Sequence, residues 1–271
     1  MKFSTIILII LFISFSLVAS VYEKEKQLTL PAAGIENFEA DCGSGYLKIT
    51  GEAGLKQVEV KATIRIKGYD KDDAEFFIKD KIILTLKKRG DRAVLVSKVK
   101  SSIFKRPRSV LINLDIRVPK NLFLDIDDGS GLIEIADMGN GVKVEDGSGT
   151  IEIKNIDGKV AVDDGSGSVD LYNISGDIKI DDGSGSIKAE EIKGNIRIND
   201  SSGEIKIKGI SGNVDIDDSS GEIKIYEIGG SVVVDDGSGG IYIDGVEKDV
   251  IIKSSGSGSL SIRNVKGKVK K

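Results

Sequence analysis

The 271-residue chain has no histidine and no tryptophan, one cysteine, three prolines and two methionines, and 5% of its residues are aromatic. Each scarcity removes something. Without histidine the commonest general base is missing. A lone thiol, Cys42, leaves no intrachain disulfide to form, and a buried side chain is expected for it. The shortage of large aromatic side chains makes poor material for a compact globular core and suits a repeat array. Neither sign of charge dominates: 39 basic and 43 acidic residues give a net charge of −4, so nothing points to a nucleic-acid partner.

What the chain has is glycine, 33 residues of it, and a repeated phrase. Clusters of the type D-D-G-S-G end at Gly131, Gly149, Gly167, Gly185, Gly203, Gly221 and Gly239, each 18 residues after the last. With that glycine as position 0, apolar residues recur at positions 2, 4, 7, 11 and 13, as in Ile151, Ile153, Ile156, Val160 and Val162. The I-x-I and V-x-V triplets have the period of a strand with one buried face. Five helical turns would also span one copy, but the alternation, the β-branched residues and the glycine breaks exclude a helix. Five buried aliphatics cannot offset the cost of ordering one copy alone. Stacked copies share a core and a hydrogen-bond ladder, climbing about 4.8 Å per coil. The expected fold is all-β: a single-chain β-solenoid of 18-residue coils with two short strands each, capped at one end by an N-terminal antiparallel β excursion.

Three residues before each of these glycines stands an aspartate: Asp128, Asp146, Asp164, Asp182, Asp200, Asp218 and Asp236. The position before it is looser, with Asp127, Glu145, Asp163, Asp181, Asn199, Asp217 and Asp235. Stacked carboxylates repel, so something must offset them. One reading is an Asx-turn, in which each inner aspartate accepts backbone N–H groups of its own corner. Ser254, which replaces it in the degenerate last copy, makes the same local bond and is a poor calcium ligand. The other reading is a calcium ladder along that corner, although the spacing matches no standard calcium loop.

In chain order, residues 1–20 carry Lys2, an unbroken apolar run from Ile6 to Ile13 and small residues before Val21, the pattern of a secretory signal peptide. Phe3 to Val21 also approaches spanning length, so an uncleaved anchor is the competing reading. No cysteine follows the run, which argues against a lipoprotein. Residues 21–119 form the expected N-terminal cap. It includes a first coil at Asp41-Cys42-Gly43-Ser44-Gly45, where Cys42 takes the inner-aspartate position. Longer alternating strands follow, with a helix over 72–80 whose Phe76 and Phe77 are expected inward and a hairpin turn at Gly90-Asp91. Lys105-Arg106-Pro107-Arg108 is a basic loop, a solvated turn or a contact for an acidic polymer. Residues 120–271 form the repeat domain. Its register slips to 19 at Gly258, and its last strand carries Lys266, Lys268, Lys270 and Lys271, a charged edge that resists further pairing.

The leader, the early GSG-x-L-x-I phrase, the long-strand excursion, the V-P-x-x-L entry and the tandem GSG-x-I-x-I units resemble the bacterial putative-adhesin family of β-strand-repeat proteins, a domain of unknown function. The resemblance spans about residues 27–271. It implies an exported or envelope-associated β-helix, periplasmic, at the cell surface or extracellular. It brings no catalytic residues and no cofactor.

Three functions are weighed. An adhesion or binding module would use outward residues, with Tyr172, Tyr226 and Tyr242 as contacts for a surface protein or glycan. A purely structural scaffold or spacer would take no small ligand. An enzyme acting on polysaccharide would need one unique site, whereas these aspartates recur in every coil and histidine is absent. Membrane contact is expected only through the N-terminal segment, if it is retained.

Overall fold

A computed structural model describes residues 21–100 and 107–271. The expected signal peptide, and Lys105 and Arg106 of the basic loop, lie outside the described residues. The chain is nearly all β, a β-solenoid of about eight turns with one α-helix, and antiparallel strands precede the regular coils. It divides into two compact units, Met1–Glu134 and Ile135–Lys271.

In the second unit each coil contributes one strand to each of two parallel sheets, as with Gly149–Ile156 and Val160–Asp164. Paired residues lie 18 apart in the regular coils, and 19 apart where the last coil pairs from Asp235 onward. Ile151 meets Val169, Ile153 meets Leu171, Val160 meets Ile178 and Val162 meets Ile180. All eight side chains are buried, stacking branched aliphatics on branched aliphatics. The apolar positions run 2, 4, 7 rather than 2, 4, 6, for a local reason. Position 6 sits in the left-handed region, with φ 58° at Asn155, 55° at Asn173 and 58° at Glu191. One such residue interrupts the alternation, so Lys154 and Asn155 both face out and Ile156 returns to the core. Asparagine tolerates that conformation, and it stacks there: Asn173 Nδ2 donates to Asn155 Oδ1 (2.9 Å), and Asn155 Nδ2 to Asp137 Oδ1 (2.8 Å).

The backbone ladder continues through the corners. Gly165 N–H donates to the Asp146 carbonyl (2.9 Å) and Gly167 N–H to the Ser184 carbonyl (2.8 Å). The glycine at position 0 has φ between 136° and 151° in the seven evenly spaced copies. A Cβ at Gly203 would overlap the carbonyl oxygen of Gly185 one coil below. Position 0 is therefore glycine on two counts, backbone conformation and close approach.

The first unit contains β1 (Val21–Pro31), β2 (Asn37–Cys42), β3 (Ser44–Glu52), β4 (Gln57–Lys67), α1 (Lys71–Lys81), β5 (Ile82–Arg89), β6 (Arg92–Val99), β7 (Ser109–Pro119) and β8 (Phe123–Asp128). The expected first coil is present. β2 runs parallel to β8, with Asp41 opposite Asp127, and Cys42 is buried. Burial first, and Asp128 next, push its thiol pKa upward. On their other side β2 and β3 pair in parallel with β6 and β7, so the long-strand region supplies a further coil of its own. Antiparallel strands then close it, β5 on β6 and β4 with β1 on β7. Gly90, at φ 65°, makes the expected turn between β5 and β6.

The expected helix is α1, started by Asp70, whose Oδ1 accepts Asp73 N–H (2.9 Å). One expectation fails. Phe77 is buried with Ala74 and Ile78, but Phe76 is 71% exposed. Adjacent helical residues diverge by about 100°, and only the i, i+3, i+4 set of Ala74, Phe77 and Ile78 shares the buried face.

Gly203→Ala is expected to destabilise the protein by about 4 kcal/mol or more, because the clash is with backbone that the ladder holds in place. Gly54→Ala, at φ 80° with nothing within 4 Å of the added methyl, should cost about 1 kcal/mol. Urea unfolding of the two variants checks the contrast, and equal losses would mean that coil-to-coil contact is not what demands glycine.

Candidate functional site

Two arrangements in the second unit carry chemistry: a file of aspartates inside the corner and a file of tyrosines outside one sheet. The inner file is Asp146, Asp164, Asp182, Asp200, Asp218 and Asp236, in register from coil to coil and each at most 6% exposed. Asp128, in the first unit, is also buried. From Asp164 onward, Oδ1 accepts the N–H of the serine two residues on, at 3.0–3.2 Å. This is Asx-turn geometry. In the last copy the shifted register sets Ser254 against Asp235 and Ser255 against Asp236, so Ser255, not the expected Ser254, takes the inner position, while Ser254 Oγ accepts Gly256 N–H (3.4 Å).

The second oxygen differs. Oδ2 of Asp164, Asp182, Asp200, Asp218 and Asp236 is buried and has no hydrogen-bond partner among the described residues. Burial, with added repulsion from neighbouring carboxylates, pushes Asp164, Asp182 and Asp218 up to about 6. Burial also raises Asp146, Asp200 and Asp236. The ladder supplies one inner carboxyl per coil. Among the described residues no three Asp, Glu or Cys side chains gather as a metal site would require.

The outward face of the other strand is organised in columns. At position 5 the register runs Lys154, Tyr172, Glu190, Lys208, Tyr226, Asp244, Arg263. The order cation, tyrosine, carboxylate thus occurs twice, three coils apart, and a cation follows. Tyr172 is 45% exposed, and its hydroxyl bonds Glu191, which raises the phenol pKa. Tyr226 lies beside Tyr242, from the position-3 column, with ring centroids 5.5 Å apart and planes tilted by 41°. The Arg263 guanidinium stands 5.7 Å over the Tyr242 ring, a cation–π distance. The Tyr242 hydroxyl donates to Asp244 Oδ2 (3.2 Å). The structure therefore joins Tyr226 with Tyr242 and leaves Tyr172 three coils away. Arg263 was not singled out in the sequence. Its signal was there, a cation at position 5, but the slip to 19 residues before Gly258 hides the column.

Neighbouring charges are mostly neutralised locally. Lys224 meets Glu204 (2.9 Å) and Glu222 (2.7 Å), which raise its pKa. Lys208 meets Glu227 at 3.5 Å. Lys206 and Lys154 have no ion pair among the described residues.

The aspartate file has a consequence for stability. A carboxyl with a raised folded pKa binds its proton more tightly in the folded state than in the unfolded one. Stability is therefore highest below the unfolded value near 3.8 and falls as pH rises toward about 6. The carboxylates with depressed values, Glu59, Glu75, Asp80 and Asp177, act in the opposite sense, but only at lower pH. The protein should accordingly be more stable to urea at pH 5 than at pH 8. Asp182→Asn, which keeps the Oδ1 bond and removes the charge, should add about 1–2 kcal/mol at pH 8 and little at pH 4.5. Loss of stability at pH 8 would mean that the ionised carboxylate is held by a bound cation, and direct calcium analysis after dialysis would identify it.

Three solved structures align over most of both chains. A "putative cell adhesion protein" of Clostridium sporogenes has 11% identity and TM-score 0.30, and covers 92% of this chain and 98% of its own. A "putative adhesin" of Parabacteroides distasonis has 13% identity and TM-score 0.32, with 93% and 97% covered. A "putative adhesin" of Bacteroides fragilis has 15% identity and TM-score 0.29, with 92% and 96% covered. No curated protein matches in sequence. The Toastrack DUF4097 family model matches residues 9–271, and the chain belongs to that family.

Proposed function

We propose that the protein is an exported, non-catalytic binding module of the cell envelope whose ligand is a linear glycan laid along the tyrosine-bearing sheet face. The observation that carries this reading is the position-5 column, where Tyr172 and Tyr226 each follow a cation and precede a carboxylate, three coils apart, about 14 Å at the strand spacing. A tyrosine on a flat parallel sheet offers a ring to an apolar sugar face, and the cation and carboxylate beside it offer hydrogen bonds to hydroxyls. Each triplet is balanced in charge, which suits a neutral sugar better than a polyanion. A peptide adding itself as a strand would need a free sheet edge, whereas these residues lie on a face. Two equivalent contacts on one rigid face favour a polymer over a monosaccharide through effective concentration.

Export is supported by the charged, apolar and small-residue order of residues 1–20. The non-catalytic reading is supported by the corners: carboxylates that recur in every coil and bond their own turn are a structural requirement, not one reaction centre.

A glycan array probed with the protein and with Tyr226→Ala, Tyr242→Ala and Tyr172→Ala tests the proposal. Each substitution should weaken binding about tenfold. Affinity should rise with oligosaccharide length until both tyrosine positions are spanned. Binding untouched by all three changes, or no glycan bound at all, would leave the scaffold reading in its place.

A further inference from the structure

The end of the first unit where β1 begins has features that the glycan face does not use. Val21 opens β1 and pairs with Lys67 at the end of β4, and Lys67 in turn pairs with Ser109 at the start of β7. α1 leaves β4 there and leads directly into β5, whose first residue, Ile82, pairs with Val99 at the end of β6. The helix thus joins the two sheets of this unit at the end from which residues 1–20 depart.

That end is unusually apolar for a surface. Phe76, on the outer side of α1, is the most exposed large hydrophobic side chain among the described residues at 71%, and Val99 and Val21 are 41% and 36% exposed. Nothing in the unit requires Phe76 to be phenylalanine, since the helix packs through Ala74, Phe77 and Ile78. Around these residues Lys79, Lys100 and Arg108 are exposed and have no ion pair among the described residues. Of the acids nearby, Asp72 is exposed one turn before Phe76, and three others are committed. Asp80 pairs with Lys81 (2.8 Å), Glu75 takes Lys24 (2.6 Å) and the Tyr22 hydroxyl, and Asp70 caps the helix.

We infer that this end is a membrane-contact surface, with Phe76, Val99 and Val21 seated at the headgroup boundary and Lys79, Lys100 and Arg108 facing anionic phospholipids. What fixes the occupant is the chain itself. In the sequence the apolar residues Phe3 to Val21 lead into β1, so a bilayer that took up that stretch would be brought to the end where β1 begins. Exposed apolar side chains with exposed cations on the same end are the composition of an interfacial contact, and each cation near an anionic leaflet adds attraction. The inference is independent of the glycan proposal, because it uses neither the tyrosine column nor the second unit.

The chain has no tryptophan, so a single introduced one reports its own surroundings. The full chain carrying Phe76→Trp is reconstituted into phosphatidylcholine vesicles with and without phosphatidylglycerol. Emission and quenching by brominated lipid are then measured. Thr29→Trp, at the far end of β1 and about 27 Å from Val21, is the control. Blue-shifted, lipid-quenched emission is expected at position 76 only, and more strongly with the anionic lipid. Lys79→Gln and Arg108→Gln should each lower the docked-to-free ratio about fivefold. Water-like, unquenched emission at position 76 would overturn the inference. So would equal quenching at positions 76 and 29, or quenching indifferent to phosphatidylglycerol and to both substitutions.

Discussion

The structure depends on one constraint: the backbone ladder that sets each residue directly over its counterpart in the next coil. With a repeat of constant length, each column is a stack of residues in one environment, and each environment admits few side chains. Inside, branched aliphatics stack on branched aliphatics. At position 0 the carbonyl of the coil below occupies the space of a Cβ, and glycine follows. At position 6 the backbone is left-handed, and asparagine both tolerates this and bonds the amide beneath it. Where the pairing shifts, between Val234 and Asp235, the same columns decay together. Serine replaces the inner aspartate, and Leu260 and Ile262 in the coil beyond are only half-buried.

The buried carboxylates are the costly part of this scheme. Asparagine or serine would close the corner with the same backbone bond and no charge, and Ser255, opposite Asp236, shows that the inner position accepts such a group. One account of why aspartate recurs is register. A slip of one residue would set each inner aspartate against the outward-facing neighbour of the next coil's aspartate, although its local bond to the serine N–H would travel with it. The aliphatic columns discriminate less between nearby registers, because a valine fits where an isoleucine did. Buried polar groups elsewhere fix alignment at a cost in stability, and a solenoid made of near-identical coils has more wrong alignments to exclude than most folds. The first coil, with Cys42 at this corner, also shows a neutral group in that place.

Much of this was legible in the residues because the repeats act as internal copies of one another. The spacing of the final glycines, the Ile/Val triplets, the first coil at Cys42 and the turn at Gly90 each rest on a local rule that tertiary context had no reason to override. The misses have equally specific causes. The step from position 4 to position 7 was visible as a gap, but asparagine, glutamate and glycine all fill position 6, and no single residue type announces a left-handed backbone. Phe76 was assigned inward by hydrophobicity alone, although helical geometry allows only one of two adjacent phenylalanines onto the face of Ala74 and Ile78. The extra coil formed by β6 and β7 was hidden because residues 100–108 separate the two strands in the sequence, where the regular copies have two residues, as between Asp164 and Gly167. The tyrosine pair was legible as a neighbourhood, and Arg263 was not, because one inserted residue moves it out of the counted column.

The outward columns follow a different logic. No ladder or core dictates their side chains, so a pattern there needs its own cause. Ion pairing is the cheapest one, and it accounts for Lys224 between Glu204 and Glu222. It does not account for the tyrosines of position 5. There a tyrosine stands between Lys154 and Glu190, and another between Lys208 and Asp244, holding each pair of opposite charges two coils, about 10 Å, apart. At that distance they gain almost nothing from each other in water. Two of them pair elsewhere instead: Glu190 meets Lys188 at 3.3 Å and Lys208 meets Glu227 at 3.5 Å. What ion pairing leaves unexplained is the exposed ring of Tyr172 and the grouping of Tyr226, Tyr242 and Arg263.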